Sequence, residues 1–345
     1  MIKLFDQFST DIEKVLHGFG VSVLKAEKHT KSNFDIYDLT LSSGTKISKI
    51  EGLLPELGLS LKSKSIPRGY SLWDKGVYRI EVQHSPLESY NATDYFGDFD
   101  NKFCPILLGS DIYGNKICPD LSDFPNLLIG GATGSGKSVV LHNIIISLIK
   151  NNAEIYLADP KMVEFSAYEE SENIKKIIYS AEEAEALIQS AKEEMNRRFL
   201  MLKKSKSRNV KEYNLKNDNK MKPYVLVIDE WADLILEDKK IEKPLCQIAQ
   251  KGRAAGICIV LATQRPSSKV ISGLIKANFL GRVCMRVSNS TNSRIILDSS
   301  GGEKITEKGM GIFKDKDSKY ITFKSPYVEN VEGFLKDNFG IEYDC

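Results

Sequence analysis

Two hydrophobic patterns organise the first 85 residues. Apolar side chains recur every three or four positions between residues 4 and 19, which predicts an amphipathic helix. Its apolar stripe is expected to pack into a core, and binding of a partner helix is the alternative. Strands are predicted at 21–26, 34–41, 70–73 and 77–82, and an interrupted helix at 47–61. We therefore assign residues 1–85 to a small α+β domain, in which no cluster of side chains suggests chemistry.

The pattern changes after residue 85. Residues 86–104 are polar and acidic, and we interpret them as a linker. In residues 105–345 apolar strands alternate with helices, which is typical of an α/β domain with a mostly parallel sheet. The predicted strands are 126–130, 155–159, 224–228, 256–263 and 281–287, with a hairpin joining 310–313 to 320–323; the predicted helices include 139–149 and 182–202. The Lys- and Asn-rich residues 203–222 predict a solvated or mobile loop.

The strongest chemical pattern lies between the first of these strands and the first helix. It has the spacing G-x-x-x-x-G-K-S and comprises Gly131, Ala132, Thr133, Gly134, Ser135, Gly136, Lys137 and Ser138. Glycines let backbone N–H groups surround a phosphate, and the following helix N-terminus attracts its charge. We expect Lys137 to reach the β- and γ-phosphates, Ser138 to hold Mg²⁺ and Val139 to border the nucleotide. A glycine-rich turn that matches by chance is the alternative.

Two carboxylates end another buried strand further along the chain. The apolar residues 224–228 precede Asp229 and Glu230, and a parallel strand delivers its last residues to the ligand edge of a sheet. Asp229 is expected to contact the Mg²⁺ shell, and Glu230 to polarise the attacking water. Acidic residues also cap helix N-termini, which is the structural alternative. Together with the P-loop, this pair indicates ATP hydrolysis.

A third strand ends in polar residues, Thr263 and Gln264. At the same edge of the sheet they would lie beside the γ-phosphate and could sense its presence. An ordinary turn at the end of a strand is the alternative, which spacing alone does not exclude.

Composition narrows the class of protein. The chain has 345 residues, of which 42% are hydrophobic and 27% charged, and this length suits two globular domains. The net charge of +2 means that any nucleic-acid surface must be local. Six cysteines without a C-x-x-C pair predict reduced thiols in a cytoplasmic protein, and four scattered histidines give no zinc spacing. No apolar stretch is long enough for a membrane segment, and early acidic residues argue against a signal peptide.

Several motifs, taken in order, resemble the motor domain of the FtsK/SpoIIIE family of DNA translocases. Besides the P-loop they are Asp159-Pro160-Lys161, Asp229-Glu230-Trp231-Ala232-Asp233-Leu234, Arg253-Ala254-Ala255-Gly256-Ile257, Ala262-Thr263-Gln264-Arg265-Pro266-Ser267 and Gly273-Leu274-Ile275-Lys276-Ala277-Asn278. The resemblance extends from Leu107 to Phe313, and residues 1–85 resemble that family's α subdomain more weakly. The combination is specific, whereas any one motif is not.

The resemblance implies a RecA-like P-loop ATPase core that uses ATP and Mg²⁺. It further implies a homo-oligomer, a hexameric ring, that pumps double-stranded DNA through its pore. Arg253 matches the arginine that completes a neighbour's site, Arg282 is the second candidate, and a salt-bridge role is the alternative for both. The residues that resemble DNA-contacting pore loops are Arg265, Lys269 and Arg294. The predicted catalytic set is Lys137, Asp229, Glu230, Gln264, Arg253 and Arg282, with Ser138 and Asp229 as metal ligands.

No stretch of these residues resembles the family's membrane anchor or its DNA-reading γ domain, and we expect a motor that works without either. This favours a mobile-element, phage or plasmid role in DNA transfer or packaging, with a relaxase, replication or transfer protein as partner. A non-translocating ATP switch that recruits DNA-processing partners, as a coupling protein does, is the alternative. A protein-remodelling ring is disfavoured, because neither candidate pore loop carries an aromatic-hydrophobic tip.

Overall fold

The computed structural model describes residues 9–31, 33–85, 95–97, 99 and 102–343. The chain divides into two units, residues 1–88 and 89–345. Each unit has a sheet and an apolar core of its own.

The smaller unit is a four-stranded antiparallel sheet packed against short helices. Its strands are β1 (Val23–Thr30), β2 (Phe34–Leu41), β3 (Arg68–Leu72) and β4 (Val77–Gln83), in the spatial order β1-β2-β4-β3. Its helices are α1 (Asp11–Gly18), α2 (Ile47–Gly52) and α3 (Leu54–Ser60). Alternate residues of β2 and β4 join α1 in the core, including Leu39, Ile80 and Leu16. The helix predicted at 4–19 thus begins at Asp11, and residues 1–8 lie outside the described residues.

The larger unit contains a ten-stranded sheet. Its strands are β5 (Gly109–Asp111), β6 (Lys116–Ile117), β7 (Asn126–Gly130), β8 (Glu154–Ala158), β9 (Ile174–Ile178), β10 (Tyr224–Ile228), β11 (Ile257–Thr263), β12 (Gly281–Met285), β13 (Met310–Lys314) and β14 (Tyr320–Lys324). Its helices are α4 (Lys137–Lys150), α5 (Ala181–Lys204), α6 (Val210–Lys216), α7 (Trp231–Glu237), α8 (Glu242–Ala255), α9 (Gly273–Asn278), α10 (Ser290–Leu297) and α11 (Val331–Phe339).

The strand order is β6-β5-β14-β13-β12-β7-β11-β10-β8-β9. Neighbouring strands pair in parallel along one part of the sheet, β12-β7-β11-β10-β8-β9. They pair antiparallel along the other part, β6-β5-β14-β13-β12, and β12 joins the two parts. Every residue of β7, β10 and β11 is buried, which explains their continuous apolar sequences. The fold is α/β, as predicted, and the predicted hairpin is β13–β14, which belongs to the antiparallel part.

Part of the stretch that we interpreted as a linker belongs to the larger unit. Tyr95, Phe96 and Cys104 are buried in its core, and the ring of Phe96 lies 5.4 Å from that of Phe334. Residues 86–94, 98, 100 and 101 lie outside the described residues. The acidic composition of this stretch led to a linker prediction, although its aromatic residues Tyr95 and Phe96 pack into the core.

Residues 203–222 are a folded element, so the prediction of a solvated or mobile loop is wrong for their backbone. Leu202, Val210, Tyr213 and Met221 form a small apolar core around α6. Asn209 caps this helix by accepting a hydrogen bond from the backbone N–H of Glu212 at 2.9 Å. The widely spaced apolar residues that build this core were hidden among the lysines and asparagines.

Two further features bear on sequence expectations. Over the described ranges, no helix is both long and apolar enough to cross a membrane. The described cysteines are unpaired, and Cys104, Cys246, Cys258 and Cys284 are buried. Cys345 lies outside the described residues.

Candidate active site

The predicted site residues meet because four parallel strands end in register. Ile228 of β10 pairs with Ala158 of β8 and with Leu261 of β11, while Thr263 of β11 pairs with Gly130 of β7. The residues that follow these strand ends are the P-loop, Asp159, Asp229 with Glu230, and Gln264. The carboxyl edge of the sheet therefore collects all of them in one place.

The P-loop backbone is fixed by its neighbours. Gly136, which precedes α4, has φ +101°, and a Cβ at this position would lie 2.8 Å from the Cα of Gly309. The backbone N–H of Gly309 in turn donates to the carbonyl of Ser135 at 2.9 Å. A residue with a side chain would open this contact, so glycine is required here. The first turn of α4 then offers backbone N–H groups that have no intrahelical acceptor, which is the arrangement that binds a phosphate.

Lys137 and Asp229 form a buried ion pair. The Lys137 ammonium contacts Oδ1 of Asp229 and donates to its backbone carbonyl at 2.9 Å, and the side chains are 3% and 1% exposed. An ammonium has three donors, so one remains for a phosphate oxygen. Lys137 thus lies at the carboxyl edge of the sheet, and its contact with a phosphate stays a prediction.

Two oxygens fit the predicted Mg²⁺ role. Oδ2 of Asp229 is buried and has no hydrogen-bond partner among the described residues, which leaves it free to accept a cation. The hydroxyl of Ser138 donates to Oε1 of Glu164 at 2.8 Å, so its lone pairs remain available. Their chemistry fits a hard divalent cation that is also bound by phosphate oxygens.

Glu230 is held by residues at the end of β11. Its carboxylate accepts hydrogen bonds from the Thr263 hydroxyl at 2.6 Å and from the backbone N–H of Gln264 at 2.9 Å. Its carboxylate also caps α7 by accepting from the N–H of Ala232 at 3.3 Å. Glu230 is therefore both the N-cap of this helix and a residue of the candidate site. Glu230 is buried, with 1% of its surface exposed. The sequence predicted that this carboxylate lies at the carboxyl edge of the sheet, but it did not predict which residues would donate hydrogen bonds to it.

The side chain of Gln264 contacts the P-loop. Its Oε1 accepts a hydrogen bond from the hydroxyl of Thr133 at 2.7 Å. Since its backbone N–H binds Glu230, Gln264 joins the P-loop to the candidate base. The end of β11 therefore lies beside the P-loop, and its position next to a γ-phosphate stays a prediction.

Sequence reasoning gave no role to the segment after β8, which the structure brings into the site. One carboxylate oxygen of buried Asp159 accepts the N–H groups of Val163, Glu164 and Phe165, at 2.9, 2.8 and 3.2 Å. The loop so fixed brings Lys161 to 3.5 Å from Glu230, and Glu164 to Ser138. The signal was available, because β8 and β10 are both apolar strands that an aspartate follows directly.

His142 lies one turn beyond Ser138 on α4. Its Nδ1 lies 2.8 Å from the hydroxyl of Tyr168, and its Nε2 lies 3.8 Å from Glu164. Burial lowers its pKa to about 4, against the opposing effect of the Asp229 charge. The imidazole is therefore neutral at physiological pH and adds no positive charge to the phosphate site.

The two candidate arginines have different surroundings. Arg253 is exposed at the end of α8, where its Nε donates to the carbonyl of Ser122 at 3.2 Å. It precedes β11, whose seven residues span roughly 20 Å to Gln264. Arg253 is thus at the opposite edge of the sheet from the nucleotide site of its own chain.

Arg282 is buried within the chain. It pairs with Asp298 and donates to the carbonyls of Phe279, Ile296 and Lys276, at 3.0, 3.2 and 2.8 Å. These contacts engage all three nitrogens of its guanidinium within the chain. Of the two roles that the sequence left open for Arg282, this geometry favours the salt bridge.

The predicted DNA-contacting residues are exposed but lie on different kinds of element. Arg265 and Lys269 lie in the irregular segment between β11 and α9. Arg294 lies on α10 (Ser290–Leu297), so its assignment to a loop is corrected. Asn289 initiates this helix by accepting from the N–H of Asn292 at 2.9 Å, a capping signal that the prediction overlooked.

Comparison with known proteins places these observations in a family. The sequence model described as the FtsK/SpoIIIE family matches residues 97–268. The DNA translocase FtsK of Streptococcus agalactiae serotype V is 32% identical over 358 residues, covering 96% of this chain and 44% of the relative. That of Caldanaerobacter subterraneus subsp. tengcongensis is 34% identical over 351 residues, covering 96% and 49%. The chain thus spans about half the length of the curated relatives that it matches.

A solved structure is similar over nearly the whole chain. The pCW3 conjugation coupling protein TcpA, solved as a monomer with ATPgS, has a TM-score of 0.69 and 26% identity. The match covers 94% of this chain and 98% of TcpA. The similarity therefore includes both units of the chain.

Proposed function

The chain belongs to the FtsK/SpoIIIE family through residues 97–268, and from this premise we propose that it is an ATP-driven motor that moves double-stranded DNA. It is a P-loop ATPase, as its family and its structural neighbours indicate. What we add is the coupling of hydrolysis to DNA movement, in a ring of six copies. The proposal rests on the hydrogen bonds that link the carboxyl edge of the sheet, where the candidate nucleotide site lies, to exposed basic residues.

Each residue at the carboxyl edge has a defined task in hydrolysis. The P-loop N–H groups and Lys137 bind the phosphates, and Ser138 and Asp229 would hold Mg²⁺. A Mg²⁺ ion bound by these two residues would supply positive charge to the phosphate oxygens. Glu230 orients and polarises the attacking water, for which it lies at the correct strand end.

The observation that carries the motor proposal is the connection between Glu230 and Arg265. The Thr263 hydroxyl donates to Glu230 at 2.6 Å and accepts from the backbone N–H of Arg265 at 3.1 Å. A force on the segment that begins at Arg265 therefore acts on the group that positions the water. We propose that this segment, with Arg265 and Lys269, and Arg294 on α10, contacts DNA phosphates without regard to sequence.

The ring proposal rests on Arg253. Because this exposed side chain lies roughly 20 Å from the nucleotide edge of its own chain, it can act on a phosphate only in another copy. An arginine supplied in this way stabilises transition-state charge and accelerates hydrolysis by several orders of magnitude. We propose six copies because this number matches the resemblance to the family's ring motors.

We propose the cargo and the setting of the motor by analogy with its relatives. The curated relatives are named DNA translocases, and TcpA is named a conjugation coupling protein. Since TcpA is similar along nearly its entire length, we propose a mobile-element role in DNA transfer, with a relaxase or transfer protein as partner. We further propose that the protein works in the cytoplasm, where ATP is available.

A second candidate function is favoured by the same similarity. A coupling protein can recruit partners in an ATP-dependent manner without moving along DNA. In that case hydrolysis is slow and indifferent to DNA, and Arg265 and Lys269 are dispensable. The two functions are therefore separable by measuring movement rather than binding.

The test compares ATP hydrolysis with and without linear duplex DNA over a salt series. A motor gives strong stimulation that declines as salt rises, because phosphate contacts are screened. The same protein is then offered a duplex that carries a triplex-forming strand, which only a moving protein displaces. Glu230→Gln, which binds ATP without activating water, is the matched control for both assays.

Stimulation by DNA together with ATP-dependent displacement of the third strand supports the motor. Hydrolysis that DNA does not change, with no displacement, overturns it and leaves the recruiting switch. Stimulation without displacement also contradicts translocation, because the ATPase then senses DNA without moving along it.

A further inference from the structure

The chain carries a second concentration of positive charge, far from the residues predicted to contact DNA. Residues 203–222 contain eight cations and two acidic residues, so their net charge is +6 although that of the whole chain is +2. The cations are Lys203, Lys204, Lys206, Arg208, Lys211, Lys216, Lys220 and Lys222. All eight are exposed, and we refer to them as the basic patch.

Most of this charge is not neutralised within the chain. Lys211 pairs with Asp120 at 3.6 Å, and Lys216 pairs with Glu212 at 2.6 Å. The other six have no carboxylate within salt-bridge distance in the part of the chain that the structure describes. A surface of this kind attracts a polyanion locally.

The patch is supported by a fixed backbone. Beneath it lies the small core around α6, and buried Arg198 donates to the carbonyls of Lys222 and Ala255, at 2.8 and 3.0 Å. Nζ of Lys222 donates to Oδ1 of Asn152 at 2.9 Å. The cations therefore project from a folded element whose position is set by α5, α8 and the start of β10.

The location of the patch excludes the nucleotide as its ligand. Lys222 comes just before β10, and the carbonyl of Pro223 accepts from the N–H of Glu154 at the start of β8. The patch is thus at the amino edge of the parallel strands, and five residues of β10, roughly 16 Å, separate it from Asp229. A phosphate bound there belongs to another molecule.

We propose that the basic patch is a second contact surface for the phosphate backbone of duplex DNA, at the opposite edge of the sheet from the nucleotide site. Lysines with hydrogen-bonding Ser and Asn between them suit contacts that ignore sequence. The aromatic residue of this stretch, Tyr213, is buried in the small core, so it offers no stacking platform for single strands. This inference rests on the proposed function, since it gives the same DNA a second contact on each copy.

The test measures binding of the full chain to a labelled duplex over a salt series. The patch variant is Lys203→Gln with Lys204→Gln and Lys206→Gln. The matched control removes three exposed lysines from another surface, Lys239→Gln with Lys240→Gln and Lys243→Gln. Arg265→Ala with Lys269→Ala reports on the predicted DNA-contacting segment. Thermal melting and ATP binding check that each variant is folded.

The slope of log K against log salt is negative, and each lost phosphate contact reduces its magnitude by about 0.9, so the patch variant is expected to reduce that magnitude by roughly two to three units. We expect its affinity to fall about tenfold or more near 0.1 M salt, while the control changes less than about twofold. Lysine acetylation with mass spectrometry should show DNA protecting Lys203, Lys204 and Lys206 but not Lys239 and Lys240.

Other outcomes overturn the inference in distinguishable ways. If the patch variant behaves as the control while the Arg265 and Lys269 variant loses affinity, the patch is not a DNA contact and the proposed function stands. If the wild-type chain binds no DNA, the proposed function fails together with the inference. If the patch variant changes the oligomeric mass but not DNA binding per chain, the patch is an interface between copies.

Discussion

The hydroxyl of Thr263 donates a hydrogen bond of 2.6 Å to Oε1 of Glu230, although 33 residues separate the two in sequence. The same hydroxyl accepts from the backbone N–H of Arg265. One oxygen atom thus links the residue that positions water to the first residue of the proposed DNA-contacting segment. The side chains of Thr263 and Glu230 are both buried, so the hydrogen bond between them is not weakened by exchange with solvent.

We predict that Thr263→Val lowers kcat for ATP hydrolysis by about tenfold, which corresponds to about 1.4 kcal/mol, with a smaller change in KM. Valine keeps the branched shape that suits a strand but leaves the Glu230 carboxylate with one donor fewer. Steady-state kinetics with and without DNA is the measurement. Thr263→Ser, which keeps the hydroxyl, should retain most of the activity, and a kcat that is unchanged or higher in the valine variant contradicts a positioning role.

The Lys137 and Asp229 pair makes a prediction about stability as well as activity. Lys137→Ala should abolish hydrolysis and also lower the free energy of unfolding by about 3 kcal/mol, because it leaves a buried carboxylate without its cation. Adding Asp229→Asn should recover much of the stability but none of the activity. Urea unfolding and ATP binding are the measurements. A Lys137→Ala variant as stable as the wild type would show that the pair is not buried as described.

Alanine variants of Arg253 and Arg282 should lose different properties, hydrolysis in the first and stability in the second. Arg253→Ala should lose hydrolysis while its stability changes by less than about 0.5 kcal/mol, because its side chain is exposed. Mixing it with Lys137→Ala subunits should restore part of the activity, since some mixed interfaces then join an intact P-loop to an intact arginine.

Arg282→Ala is the comparison. Its guanidinium holds three carbonyls and Asp298 inside the chain, so we expect a loss of stability of at least about 2 kcal/mol. No recovery of activity is expected on mixing it with Lys137→Ala subunits. If Arg282→Ala is stable and complements, while Arg253→Ala does not, the assignment of the two arginines is reversed.

His142 predicts a pH dependence of stability. Burial lowers its folded pKa from 6.5 to about 4, so the unfolded chain binds a proton more readily as pH falls. Its contribution to stability is therefore present above the unfolded pKa and is lost between about pH 6.5 and 4, by about 2 kcal/mol at pH 5. Urea unfolding at pH 7 and pH 5 is the measurement. His142→Gln should lose less stability over this interval, and equal losses in both proteins would contradict a neutral buried imidazole.

Much of the site could be predicted because its chemistry is local in sequence. The P-loop, Asp229 with Glu230, and Thr263 with Gln264 each follow a recognisable apolar strand. One physical rule, that the carboxyl ends of parallel strands share an edge, then brings them together. The sequence alone therefore determined the fold class of the larger unit, the residues that meet in the candidate nucleotide site and the family resemblance.

Tertiary structure decided what depends on contacts between distant segments. Arg282 lies in β12 and Arg253 at the end of α8, and only packing made the first an interior salt-bridge residue and left the second exposed at the far edge. The loop after Asp159 entered the site because β8 pairs with β10, which brings Lys161 to 3.5 Å from Glu230. Residues 203–222 became a folded basic patch because four separated apolar residues meet under it. Such outcomes depend on which side chains exclude water together, and this is fixed only when the whole chain has folded.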